Sequence, residues 1–152
     1  MGTLFVTLHV LTAIFLIGPL ALAPFAGLRA VVRRDPEGVR RASRATMVLA
    51  GASALVGLFG LGAVANSDKI SYGTPWVTIS ITLSVIALVG VLVVAAPSLR
   101  TVAGLIEAGT ISSDAYAKAR MDALRGRIAV TAGLAVLAWG LVVVLMTTKP
   151  FG

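Results

Sequence analysis

LFVTLHVLTAIFLIGPLALAPFAGL, residues Leu4 to Leu28, contains no charged side chain. It carries the only histidine of the chain, His9, and two prolines, Pro19 and Pro24. Arg29 closes it. As a helix the stretch would reach about 37 Å, enough to cross a hydrocarbon layer of roughly 30 Å with some tilt. A run this long and apolar is too long for an ordinary core helix. No basic residue precedes it, so it is expected to stay as a membrane helix and not to be cleaved as a signal peptide.

Three more charge-free runs follow, at residues 45–67, 70–99 and 128–148. In hydrocarbon every backbone polar group must be paired within its own segment, so four such runs mean four helices. The expected fold is all-α: a polytopic membrane protein, one four-transmembrane-helix domain over residues 1–152, with spans at about 4–28, 46–66, 75–97 and 127–147. Composition agrees. Of 152 residues 58% are hydrophobic and 12% charged, against about 25% charged in soluble domains. There is no cysteine, which excludes disulfides, thiolate metal sites and thiol catalysis.

Between the first two runs lies RAVVRRDPEGVRRASR, in which Asp35-Pro36-Glu37 is a helix start. It offers an Asp cap, a proline at the first helical position and an acid in the first turn. Helix 2 therefore begins near Pro36 as an exposed basic turn and enters the bilayer near Thr46. Along it Ser53, Gly57 and Gly60 share one face, and small residues at this spacing let helices approach closely. Their expected partner is inside the bundle. Pro19 and Pro24 predict a kink in helix 1. Helix 3 starts at Thr74-Pro75, and Tyr72 and Trp76 stand at the height of an aromatic belt. Thr78 and Thr82 share one face of helix 3, Ser80 and Ser84 nearly the opposite one.

Beyond Pro97, Leu99, Val102, Ala103 and Ile106 continue an apolar stripe to Gly109, which ends the helix. Ser113-Asp114 starts the next, where Ala117, Met121, Leu124 and Ile128 form a matching stripe. The two predict a helical hairpin extending helices 3 and 4 out of the membrane.

The net charge is +7, and its placement argues against nucleic acid. The first loop holds Arg29, Arg33, Arg34, Arg40, Arg41 and Arg44, the third Arg100, Lys118, Arg120, Arg125 and Arg127. The second loop has only Lys69, opposite Asp68, and the tail Lys149. Basic loops stay in the cytoplasm, so both termini are expected outside a bacterial inner membrane. Arg33, Arg34, Arg40, Arg41 and Arg44 are candidate contacts for anionic lipid headgroups.

Motifs of soluble enzymes are missing: no phosphate loop, no dinucleotide fingerprint, no cysteine or multi-histidine metal cluster. All six acids lie in loops, which leaves no intramembrane carboxylate for a proton relay. What remains is His9, an ionisable side chain within a span. One reading is a neutral histidine bonded to a hydroxyl of helix 3 or 4. The other is an axial ligand of haem b, with Met146 at a comparable level as second ligand. Met47 lies at the opposite membrane face and Met121 in a loop.

LHVLTAIFLIGPL (residues 8–20), GTPW (73–76) and LMTTKP (145–150) resemble an uncharacterised family of predicted four-helix integral membrane proteins, a domain of unknown function. The resemblance covers most of the chain and implies a fold and topology. LHVLTAIFLIG (8–18) is also distantly similar to the first helix of the copper resistance protein D group and of the haem-containing bacterial protoporphyrinogen oxidase. That resemblance implies a haem ligand at His9; the chain departs from it in having no second histidine and no basic residue within a span.

Three functions stand in order. The first is a non-enzymatic accessory or interaction subunit, bound to other membrane subunits or to itself. The second is a haem protein of electron transfer or haem handling. The third is a small-solute or metal permease, for which four spans without a polar centre offer little path.

Overall fold

The computed structural model describes residues 2–68, 70–109 and 114–150. They form four helices long and apolar enough to cross a membrane: α1 (Gly2–Val32), α2 (Pro36–Ala65), α3 (Pro75–Glu107) and α4 (Ala115–Thr148). No strand occurs among the described residues. Successive helices run antiparallel. Their basic ends gather on one side, and Gly2, Ala65, Pro75 and Thr148 lie at the far end.

Helix ends follow the local chemistry. Asp35 caps α2, its Oδ1 accepting from the Gly38 N–H at 2.9 Å. Asp114 caps α4 by accepting from the Tyr116 N–H at 2.9 Å; Ser113, expected beside it, lies outside the described residues, as does Lys69. Thr74 precedes α3, but its hydroxyl accepts from the Ser71 N–H and caps no α3 amide. Gly109 leaves α3 with a left-handed φ of 65°, a conformation that costs glycine nothing.

Three helices are interrupted. In α1 a π-helical turn, Ala13–Ile17, precedes Pro19, and in α3 another, Val91–Ala95, precedes Pro97 at the same spacing. Proline has no N–H and its ring crowds the preceding turn, so the wider π turn relieves the clash. In α2 the helix breaks at Ser53, whose hydroxyl donates to the Leu49 carbonyl at 2.7 Å. Such back-bonding bends helices. α4 runs uninterrupted.

Two clusters of buried residues join all four helices. At the basic end Val31, Val39, Ala42, Leu99, Val102, Ala103, Met121 and Ile128 pack together. The two hairpin stripes therefore meet, and the ends of α1 and α2 close over them, so the hairpin does not stand alone. Ser43 adds a bond between α2 and α3, its Oγ donating to the Ala96 carbonyl at 2.9 Å. Leu20, Ala50, Ala87, Val91, Ala135 and Trp139 make the second cluster, at mid-depth. Beyond it the bundle divides: the far half of α1 packs on α2, that of α3 on α4, and the two pairs scarcely touch.

Leu99 is fully buried and its methyl groups fill the notch at Gly27. Leu99→Ala is expected to cost about 2–5 kcal/mol. Leu137→Ala, on the exposed face of α4, should cost no more than about 0.5 kcal/mol. Unfolding of both variants in detergent checks the contrast.

Candidate functional site

His9 stands on the α2-facing side of α1, half-buried. Its position follows from an antiparallel register in which large side chains of α1 meet glycines of α2. A Cβ added at Gly62 would lie 2.6 Å from the Phe5 ring, and one at Gly60 would lie 2.9 Å from both Cε1 and Nδ1 of His9. At the far end, a Cβ on Gly2 would come within 3.1 Å of the Asn66 carbonyl oxygen. The glycines thus let the two backbones approach with the rings between them.

His9 Nδ1 lies 2.8 Å from the Val56 carbonyl oxygen. That oxygen can only accept, so Nδ1 carries the proton, and in the neutral ring Nε2 keeps its lone pair. The partner expected from sequence was a hydroxyl on α3 or α4; the structure supplies a carbonyl of α2 instead. The reason is the register: Gly60 admits the ring against α2 before it can reach another helix.

Met146 is half-buried on α4, in the other helix pair. The fold does not bring it to His9. Of the small-residue face on α2, Ser53 is buried and Gly60 takes the His9 ring, while Gly57 is exposed with nothing within 4 Å of a Cβ. In the α3–α4 pair, Trp76, Ser80 and Trp139 are buried, and Ser80 Oγ has no hydrogen-bond partner. Thr78 and Thr82 are satisfied by the carbonyls of Tyr72 and Thr78 at 2.9 Å. No group of three or more His, Cys, Asp or Glu that could hold a metal occurs among the described residues.

Arg33, Arg34, Arg40, Arg41 and Arg44 are all exposed at the basic end. Arg41 pairs with Glu37 at 3.6 Å, one turn away. Arg40 reaches across to Glu107 of α3 in a close ion pair. The sequence offered no signal for this contact or for Arg100 beside it, because the two loops are far apart in the chain. The glycine register was legible in principle: rings at positions 5 and 9 face glycines at 62 and 60.

Gly60→Ala should destabilise the protein by about 1–3 kcal/mol, since the added methyl collides with a ring that its hydrogen bond holds in place. Gly57→Ala should be neutral or stabilising by up to about 1 kcal/mol through helix propensity. Opposite signs in detergent unfolding are the expected result.

No curated protein and no solved structure matches the chain. A family model described as "Predicted integral membrane protein (DUF2269)" matches residues 3–150. With nearly its whole length matched, this chain belongs to that family of integral membrane proteins.

Proposed function

We propose that the protein is a non-enzymatic accessory subunit of a bacterial inner-membrane complex, with its basic end in the cytoplasm and both termini outside. The separation of the two helix pairs carries this reading. Only 6% of the most apolar window of α1 and 11% of that of α2 is buried within the chain, against 28% for α3 and for α4. The far half of α1–α2 is thus held to the rest chiefly through its continuation into the mid-depth cluster. Ala54, Gly57 and Leu61 make an exposed stripe on α2 at i, i+3, i+7. Ala54 and Gly57 are the small residues of this stripe, and small residues let a foreign helix approach closely where lipid gives no hydrophobic driving force. The occupant favoured by this stripe is a transmembrane helix of a larger subunit.

Placement of the basic residues supports the orientation, and the exposed first-loop arginines support contact with anionic headgroups. A reporter active only outside the cytoplasm should work when fused at Gly152 or inserted at Ser71, and fail at Gly109. A cytoplasmic C-terminus would overturn the topology.

One observation favours a second reading, a b-type haem protein. With Nδ1–H engaged by a backbone carbonyl, His9 offers Nε2 alone, the arrangement that fixes histidine ligands of metals. His9 would hold the iron through Nε2 as its one ligand from this chain, since Met146 stands in the other helix pair, and the group would supply one-electron chemistry.

Purification in mild detergent tests both readings. A larger membrane protein should co-purify near equal stoichiometry and crosslink from a photoreactive residue at Leu58 but not at Val130. A lone chain would overturn the accessory reading. In the same sample, a Soret band lost in His9→Ala would establish the haem reading; a colourless sample from haem-replete cells would end it.

A further inference from the structure

We propose that the hollow between the basic ends of α2 and α3 is a site for the phosphate of an anionic phospholipid headgroup. The proposal deepens the headgroup reading of the first-loop arginines and does not depend on the accessory-subunit reading.

The hollow encloses about 250 Å³, and Arg40, Arg44, Met47, Arg100, Gly104 and Glu107 are among its lining residues. Helical spacing puts these residues on two facing rows. Arg40, Arg44 and Met47 stand at i, i+4, i+7 on α2, and Arg100, Gly104 and Glu107 do so on α3. Three guanidinium groups meet one carboxylate, which leaves a formal charge of +2 around the hollow. Glu107 is engaged by Arg40. Arg44 and Arg100 have no ion pair among the described residues. Gly104 keeps the hollow open, since nothing lies within 4 Å of a Cβ there. Two free guanidinium groups beside an open space are the donors a phosphate needs, each able to bind two oxygens at once.

Position favours a lipid over a free anion. Arg44 is the last charge before the run 45–67, and Arg100 the first after the run 70–99. The hollow therefore sits at headgroup level, where basic pockets between transmembrane helices meet anionic lipids. Its floor continues into hydrocarbon. Gly51 follows Met47 on the α2 row, and Pro97 and Val93 extend the α3 row, all three exposed. A lipid whose phosphate lies between Arg44 and Arg100 has an apolar track for its acyl chains along these residues. A second basic hollow is lined by Arg34, Lys118, Asp122 and Arg125 together with Val31, Val32, Ile106 and Met121, and there Asp122 pairs with Arg125. Lys118 and Arg120 stand about two turns before the last charge of that helix, Arg127.

The test uses the full chain in phosphatidylcholine nanodiscs, with phosphatidylglycerol added as a minor component or inorganic phosphate added to the buffer. Bound lipid is read by native mass spectrometry and stabilisation by thermal unfolding. The wild type should retain one phosphatidylglycerol per chain and unfold at a higher temperature with it. Arg44→Gln/Arg100→Gln should weaken retention about thirtyfold, at roughly 1 kcal/mol for each arginine. Gly104→Leu, which fills the hollow without changing charge, should weaken it as well and remains informative if the double variant fails to fold. Lys118→Gln/Arg120→Gln, with the same loss of charge elsewhere, should leave retention within about twofold of wild type. Equal weakening by both double variants would reduce the effect to general surface attraction and overturn the site. Wild-type retention by Gly104→Leu would overturn it too. Equal protection by inorganic phosphate in pure phosphatidylcholine would assign the hollow to a free anion and overturn the lipid.

Discussion

A backbone carbonyl that loses its N–H donor inside hydrocarbon finds no water to replace it. This bundle meets interruptions in three of its helices. Pro19 and Pro97 each sit two residues beyond the end of a five-residue π turn. At Ser53 the Leu49 carbonyl keeps its N–H donor and accepts the Ser53 hydroxyl as well. The interruptions in α1 and α2 lie just beyond the cluster of Leu20, Ala50, Val91 and Ala135, where the four-helix core stops. α1 and α2 therefore turn together, and their far halves leave the core as a pair. α4, with no interruption, keeps company with α3.

Within that far pair, packing is set by how closely backbones can approach. Between lipid-covered helices the hydrophobic effect has little to gain, since lipid tails are as apolar as leucine. Close contact has to come from shape. The rings of Phe5 and His9 lie over Gly62 and Gly60, and the single side-chain hydrogen bond between α1 and α2 joins His9 to Val56 among the described residues. The same bond fixes the tautomer of the histidine. A packing contact and the preparation of a ligand atom are thus one geometry, which is why His9 supports two functional readings on one set of distances.

Much of the architecture was legible in residue patterns. The four spans follow from runs without charge, and the caps at Asp35 and Asp114 from residue type alone. The matching stripes from Leu99 to Ile106 and from Ala117 to Ile128 predicted the hairpin because those segments meet water, where polar and apolar faces must differ. The same logic fails inside the membrane. A lipid-facing leucine such as Leu137 and a core leucine such as Leu20 read alike, so nothing in the pattern said which helices pair in the far half. Nor did it say that Gly57 would stand open, although it lies three residues from Gly60, which takes a ring. The candidate site was half legible: His9 stood out as the only ionisable group within a span, but its partner is a main-chain oxygen, which no side-chain pattern reveals.

The arginines at the basic end answer two demands that sequence alone cannot separate. Counting them sets orientation, and any arginine in the loop serves that purpose equally. Binding asks for more, namely that particular guanidinium groups converge and remain unpaired. The Arg40–Glu107 pair bears on this. It is more than a third exposed on both sides, and such pairs add roughly 0–1 kcal/mol. The joint between α2 and α3 is held instead by Val39, Leu99 and the Ser43–Ala96 bond. What Glu107 contributes is local charge compensation. A single carboxylate beside Arg40 offsets part of the repulsion that would otherwise keep three guanidinium groups apart, and it leaves Arg44 and Arg100 free at the edge of the hydrocarbon. Compensating one arginine of three is therefore what lets the helices close without spending the charge that a phosphate would meet.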